Sequence, residues 1–269
     1  MAEKVIFSFR NWLDQGTLSG GSWTSYPLAN LQNRFFDVPA ISDDDAELST
    51  IFTCTWTADV QLRCVALMRH NLSKDATILI QFLDSAGDPV AGGMSTAEDV
   101  FNSTTWTDQE ILELPSIYTY VAATAVTCRA CRVTISDTSN PDGEISIGRA
   151  FMGLDDFQPS TNYVYGASLS LDDLTPTEMT PGGVQFSGQI TKRRVASFSL
   201  EYMDELEAKK QALHLATYCG NSRQLLCLMN PDGDYNIYES IFGTLEPQPL
   251  IHSAYARHSM SFTVKEAIG

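Results

Sequence analysis

Apolar and polar residues alternate with a period of two over much of the chain, the spacing that sends successive side chains to opposite faces of a strand. Segments 48–56, 60–68, 76–83, 118–135 and 144–152 are rich in β-branched or aromatic residues and are separated by clusters of turn formers. The tetrapeptides Asn140-Pro141-Asp142-Gly143 and Asn230-Pro231-Asp232-Gly233 are identical. Each predicts a β-hairpin, because proline presets φ at the first turn position and glycine accepts a positive φ at the end. Between residues 155 and 183 the periodicity lapses. Gln158-Pro159-Ser160, 172–177 and Pro181-Gly182-Gly183 gather there, which marks a connector between two units.

Beyond the connector, Ala196, Phe198 and Leu200 share one face of a half-buried strand. The spacing then predicts one helix over 204–219. Asp204 stands at its N-cap with Glu207 as capping-box partner, and Ala208, Ala212, Leu215, Ala216 and Cys219 trace one face up to Gly220. A lone helix buries that face against a sheet, here formed by strands 194–202, 224–229, 236–243 and 256–265. The expected fold class is mainly β, with a boundary at 171/172. Residues 1–171 are expected to form one β unit and 172–269 a smaller β unit flanked by the helix, with residues 1–25 free to contribute to the second unit.

Composition narrows the function. The chain has 269 residues, long enough for two ordinary cores, and no apolar run approaches the roughly 18 residues of a membrane span. A soluble protein synthesised in the cytoplasm is expected, because the first ten residues read as a strand and not as a signal peptide. A net charge of -16 argues against specific nucleic-acid binding, which needs clustered Lys and Arg to displace counterions. Of six cysteines, Cys128 and Cys131 form the one C-x-x-C. Strict alternation puts them on opposite faces of a strand, where they cannot share an ion, so free buried thiols are expected.

Two segments carry a family resemblance. Ile147-Gly148-Arg149-Ala150-Phe151-Met152-Gly153 leads into Gln158-Pro159-Ser160-Thr161-Asn162-Tyr163-Val164-Tyr165-Gly166, and earlier Met68-Arg69-His70-Asn71-Leu72 separates two apolar strands. These resemble tail proteins of long-tailed bacteriophages, in which an IGR-apolar-x-G strand enters a QPSxNYxxG connector. The family's usual Trp-rich exit segment is replaced here by Asp155-Asp156-Phe157. The resemblance implies a galactose-binding-like jelly-roll sandwich followed by a tail-tube-like β-sandwich with its helix. It also implies a virion role as a distal-tail-like component of tail tip or baseplate. His70, Asn71, Gly148, Arg149, Gly153, Asn162 and Gly166 would be its structural signature. The partners would be copies of the same chain in a ring, a hexamer by analogy, together with other tail-tube and baseplate proteins.

No catalytic motif interrupts this reading. There is no nucleophile elbow, HExxH, P-loop or dinucleotide fingerprint, and neither a cofactor nor a catalytic residue is expected. His70 is read as part of a loop corner satisfying backbone groups. Asp43, Asp44 and Asp45 are the strongest calcium candidates, but they lack the spaced ligands and central glycine of a calcium loop, so a solvated acidic loop is preferred. Asn230, Asp232, Asp234 and Asn236 alternate like calcium ligands and are better explained by their turn. Residues 1–171 carry 9 basic and 21 acidic side chains, and 172–269 carry 8 and 12. Lys192, Arg193 and Arg194 are therefore the segment expected to meet an acidic neighbouring subunit. One rival is a host-surface carbohydrate-binding module using Trp12, Trp23, Tyr26 or Trp106. The other is a polysaccharide-degrading enzyme with paired carboxylates.

Overall fold

The computed structural model describes residues 4–101, 106–111, 113–179, 185–187, 192–246, 248–254 and 257–268. In chain order its strands are β1 (Ile6–Ser8), β2 (Thr17–Ser19), β3 (Ala40–Ile41), β4 (Phe52–His70), β5 (Thr77–Leu83) and β6 (Glu98–Asp99). There follow β7 (Ile117–Ser136), β8 (Ser146–Gly153), β9 (Ser168–Asp172), β10 (Thr177–Met179) and β11 (Gln185–Ser187). The last five are β12 (Arg193–Met203), β13 (Gln224–Leu228), β14 (Ser240–Glu246), β15 (Leu250–Ala254) and β16 (Arg257–Glu266). The Pro181-Gly182-Gly183 turn lies outside the described residues.

A front sheet has the order β3-β8-β4-β7-β5-β6, with β2 also on β4. Its two longest strands pair antiparallel and slip register between Thr55 and Val60 and again between Leu62 and Cys64. Such irregularities bend and twist a ladder, so the sheet curls around its own core. The outer half of β4 alternates, with Phe52, Cys54, Trp56, Val60 and Leu62 buried and the residues between them not. From Leu62 to Met68 every side chain is buried. Both faces of that half are covered, as they are along β8.

The cover is a back sheet ordered β1-β13-β14-β16-β12-β9, with β15 on β16. Its alternation divides two cores. Ile6, Leu226, Leu228 and Phe242 join the front core, and Phe242 meets Phe36 and Phe151 at ring separations of 5.9 and 5.8 Å. Val5, Phe7, Leu225, Cys227, Phe198, Phe262 and Val264 face the other way, toward Ala208, Ala212, Leu215 and Cys219 of the helix. Front sheet, back sheet and helix are three layers. The Asp204 carboxylate receives the Glu207 amide at 2.7 Å, a π-helical stretch Glu207–Ala212 runs into the α-helix Leu213–Cys219, and Gly220 ends it at φ 49°.

Several expectations need correcting. The 140–143 turn is tight, with Gly143 at φ 68°, but it joins β7 to β8, which are not paired. The 230–233 turn does lie between paired strands, β13 and β14. However, the chain coils through a helical turn, Asn236–Glu239, so the strand expected from 236 begins at Ser240. Alternation also breaks at the C-x-x-C. The slip opposite Val60 leaves Cys128 and Cys131 both buried in the front core, with Arg129 half-buried beside Asp59 at 3.3 Å. All six cysteines are buried and none is in a disulfide, and burial pushes the thiols of Cys54 and Cys128 up to about 12. The 171/172 division falls inside β9. Hydrogen bonding changes sheets between Gly153 and Phe157, where Phe157 exchanges two backbone bonds with Phe7 at 2.8 and 3.0 Å.

Candidate functional site

The seam between front and back sheets gathers most of the residues singled out above. The connector is fastened to three elements. Arg63, buried on β4, bonds Asp155 at 2.7 Å, Gln158 at 3.1 Å and the Ala122 carbonyl at 3.0 Å. Asp156 accepts the amides of Phe9 (2.9 Å) and Arg10 (3.1 Å), although burial raises its pKa. The Asn162 side chain accepts the amides of Val5 at 3.2 Å and Tyr163 at 3.0 Å. Ser160 donates its amide (2.7 Å) and hydroxyl (2.8 Å) to Glu207. That carboxylate therefore serves the connector, and the capping box lacks its returning half. Gly166 sits at φ 102°, where a Cβ would meet nothing within 4 Å, so it is the backbone angle that suits glycine there.

On β8, a Cβ at Gly153 would stand 2.4 Å from the Ser8 hydroxyl and 2.6 Å from the Phe151 ring, and one at Gly148 would stand 3.0 Å from the Arg69 Cβ. Close approach of the two sheets requires the first glycine. Arg149 is buried between them, its Nη2 donating to both Asp14 carboxylate oxygens at 2.8 and 3.1 Å, with its guanidinium 6.0 Å from the Phe242 ring centroid. Burial lowers the pKa of Arg149 and raises that of Asp14, each opposed by attraction to the other.

The His70 corner is a hydrogen-bonded knot. The Leu72 amide donates to His70 Nδ1 at 3.4 Å, and burial drives the imidazole down to about 4. Asn71 donates to Asp142 and to the Glu144 carbonyl, both at 2.9 Å, and accepts the Ser146 amide at 2.8 Å. Asp137 holds the Ser73 amide and Asn140, each at 2.8 Å. The Ser73 hydroxyl also donates to Asp137, at 2.5 Å, so these groups tie the corner's loops to one another.

Between this corner and β9 opens a cleft of about 870 Å³. Its walls include Arg69, Glu113, Ser116, Leu169, Leu171, Lys192 and Tyr238, with Met68 and Phe242 among its apolar lining. Volume and lining suit a small ligand. Neither Arg69 nor Tyr238 has a sequence motif to announce it. Arg69 does announce itself in the backbone, being a non-glycine residue at φ 56°.

The remaining candidates lie apart. Asp43 accepts Ser22 Oγ at 2.8 Å and Thr24 Oγ1 at 2.7 Å, bonds that lower its pKa, while Asp44 accepts the Ala46 amide at 2.9 Å. These carboxylates, with Asp45 beside them, order their own loop. Among the described residues no three His, Cys, Asp or Glu side chains gather to hold a metal. Arg194 is buried, bonded to Glu266 at 2.5 and 3.0 Å and to the Ile237 carbonyl at 2.6 Å. It is therefore unavailable to a neighbour. Arg193 pairs with Asp172 at 2.5 Å, and Lys192 lies 3.7 Å from Asp173. Trp23 is buried, Trp12 is partly buried and Tyr26 is 46 % exposed. Trp106 packs edge-on against Tyr235 and Tyr238, both at 5.6 Å.

The chain matches no protein-family profile and no curated protein. Among solved structures it is similar to the family 32 carbohydrate-binding module of NanJ from C. perfringens, in complex with galactose (TM-score 0.41, 10 % identity, 54 % of this chain and 98 % of that one). A similar match is chitosan-binding module 1 of a chitosanase/glucanase from Paenibacillus sp. IK-5 (TM-score 0.38, 12 % identity, 54 % and 98 %). SpGH29 also matches (TM-score 0.40, 11 % identity, 54 % of this chain), and there the chain spans only 28 % of the matched protein. The likeness is loose and covers about half of the chain.

Proposed function

We propose that the protein is a non-enzymatic structural component of a bacteriophage tail tip or baseplate, of distal-tail type, forming a ring of its own copies between the tail tube and host-recognition parts. The observation that carries the reading is the open end of the back sheet. Among the described residues β9 pairs only with β12, which leaves its other edge without a strand partner there and Leu169 43 % and Leu171 66 % exposed. Beyond it the β10–β11 hairpin holds Met179 74 % exposed. An apolar, unpaired edge is ordinarily covered or charged, and a heterologous edge contact repeated around an axis closes into a ring. The seam supports the same reading, because it joins both sheets through one shared apolar core and so gives a building block that transmits position. The IGR strand and QPSxNY connector form that seam.

Imaging of virions labelled against this chain tests the proposal. The expected result is density around the tail axis at the tip, in about six copies by analogy with a closed cyclic ring. Label on the capsid, or on a fibre without contact between copies, would sink it. A second reading is a host-surface carbohydrate-binding module acting through the loop ends of the front sheet, favoured by the exposed ring of Tyr26. Loss of whole-cell binding in Tyr26→Ala, with unchanged melting temperature, would support that reading.

A further inference from the structure

We propose that the cleft between the two sheets is a binding site for a carboxylated sugar, such as a uronic-acid residue of a polysaccharide. The inference goes beyond the ring-forming role and concerns a cleft that Tyr26 does not line.

Arg69 carries the argument. It is a non-glycine residue at φ 56°, held there by its amide on the Ser116 carbonyl at 2.6 Å. A left-handed arginine is costly, and such strain persists where the surrounding structure imposes it, often at ligand sites. Its side chain is exposed on the cleft wall and has no ion pair or hydrogen bond among the described residues. Of the other two cations lining the cleft, Arg194 is locked to Glu266, whereas Lys192 is exposed and only loosely paired with Asp173 at 3.7 Å. Arg69 and Lys192 therefore offer a carboxylate one planar fork and one mobile ammonium, the fork giving geometric selection.

The rest of the wall suits a pyranose. Tyr238 lines the cleft, is 37 % exposed, and has its ring fixed by the edge-on Trp106. A sugar presents a face of C–H groups that packs on an aromatic ring and a rim of hydroxyls that needs polar partners. Ser116 and Glu113, also in the lining, supply such partners. An acidic peptide would satisfy Arg69 equally well but would make no use of an aromatic face with hydroxyl-bonding groups around it.

The test is calorimetric titration of the full chain with trigalacturonate, with galactotriose as neutral control and hexaglutamate as peptide control. Trigalacturonate should bind, more weakly as salt rises, and galactotriose should bind at least about tenfold more weakly, the scale of a lost charge-assisted bond. Arg69→Gly accepts the backbone conformation without strain, so it should keep or raise the melting temperature while weakening trigalacturonate about tenfold or more. Tyr238→Ala should also weaken it, and Tyr26→Ala should not, which separates this site from the loop-end reading. Absence of trigalacturonate binding at millimolar concentration, equal binding of galactotriose, hexaglutamate binding as tightly, or indifference to Arg69→Gly would each overturn the proposal.

Discussion

The outer and inner halves of β4 belong to one strand yet obey different rules. From Phe52 to Gln61 the strand has one buried face, and its sequence alternates accordingly. From Leu62 to Met68 the back sheet covers the second face, and Leu-Arg-Cys-Val-Ala-Leu-Met reads as an unbroken buried run. The difference teaches that hydrophobic period reports how many faces are covered, whereas strand identity comes from residue type. It also places the mechanical centre of the molecule at the inner half, where β4, β8 and Phe242 meet.

The sharpest way to break the comparison is Phe242→Ala. Removing a ring shared by Phe36 and Phe151 should cost about 3–5 kcal/mol and unfold both sheets in one transition. Denaturant melts showing two separated transitions in the parent protein would contradict a shared core.

Next in size is acid sensitivity at the inner end of β4. Burial holds His70 at about 4, below its ordinary 6.5. The unfolded chain takes up that proton first. Stability is therefore complete above pH 6.5 and falls as the pH drops through about 4, by about 3 kcal/mol for this group. Urea midpoints measured from pH 7 to 4 should drop less steeply in His70→Gln, and parallel curves would remove His70 as the cause.

Gly153→Val tests the seam from β8. The added branch meets Ser8 and Phe151, and such overpacking costs about 1–3 kcal/mol, so thermal melting should show a clear loss. An unchanged melting temperature would mean that the sheets do not approach closely there. The smallest effects belong to the outer half. Thr55→Ala and Gln61→Ala, both on the exposed face, should move stability by less than about 0.5 kcal/mol, and larger losses would reveal an unrecognised cover over that face.

Strand content and the helix from Asp204 to Gly220 were legible because each rests on local pattern and local caps. The seam was not, because its partners are far apart in sequence. Glu207 reads as half of a capping box, and nothing local points to Ser160 as its partner. Arg63 did leave a signal: a charge inside an apolar run must find a partner when buried, though the sequence does not say that Asp155 is the one. Cys128 and Cys131 were assigned to opposite faces because a register slip has no sequence marker in this strand. The cleft was invisible for the same reason as the seam. Its walls come from residues as distant as Arg69 and Tyr238, and the residue argued to matter most is conspicuous only by its backbone angle.

The pairing of β1 with β13 has a consequence for how the molecule is made. Ile6 lies opposite Leu228, so the back sheet receives its first strand before residue 10 and its neighbour more than 200 positions later. The front unit is nested between them. During synthesis the front strands can pair among themselves as soon as β8 has emerged, and Phe157 can then bond Phe7, but β1 gains its strand partner only when β13 arrives. Pairings of such long separation form slowly, because the chain must close the loop before any contact rewards it. A strand waiting for its sheet is a segment that a chaperone can protect, and the seam is closed on its back-sheet side only after β13 to β16 are made.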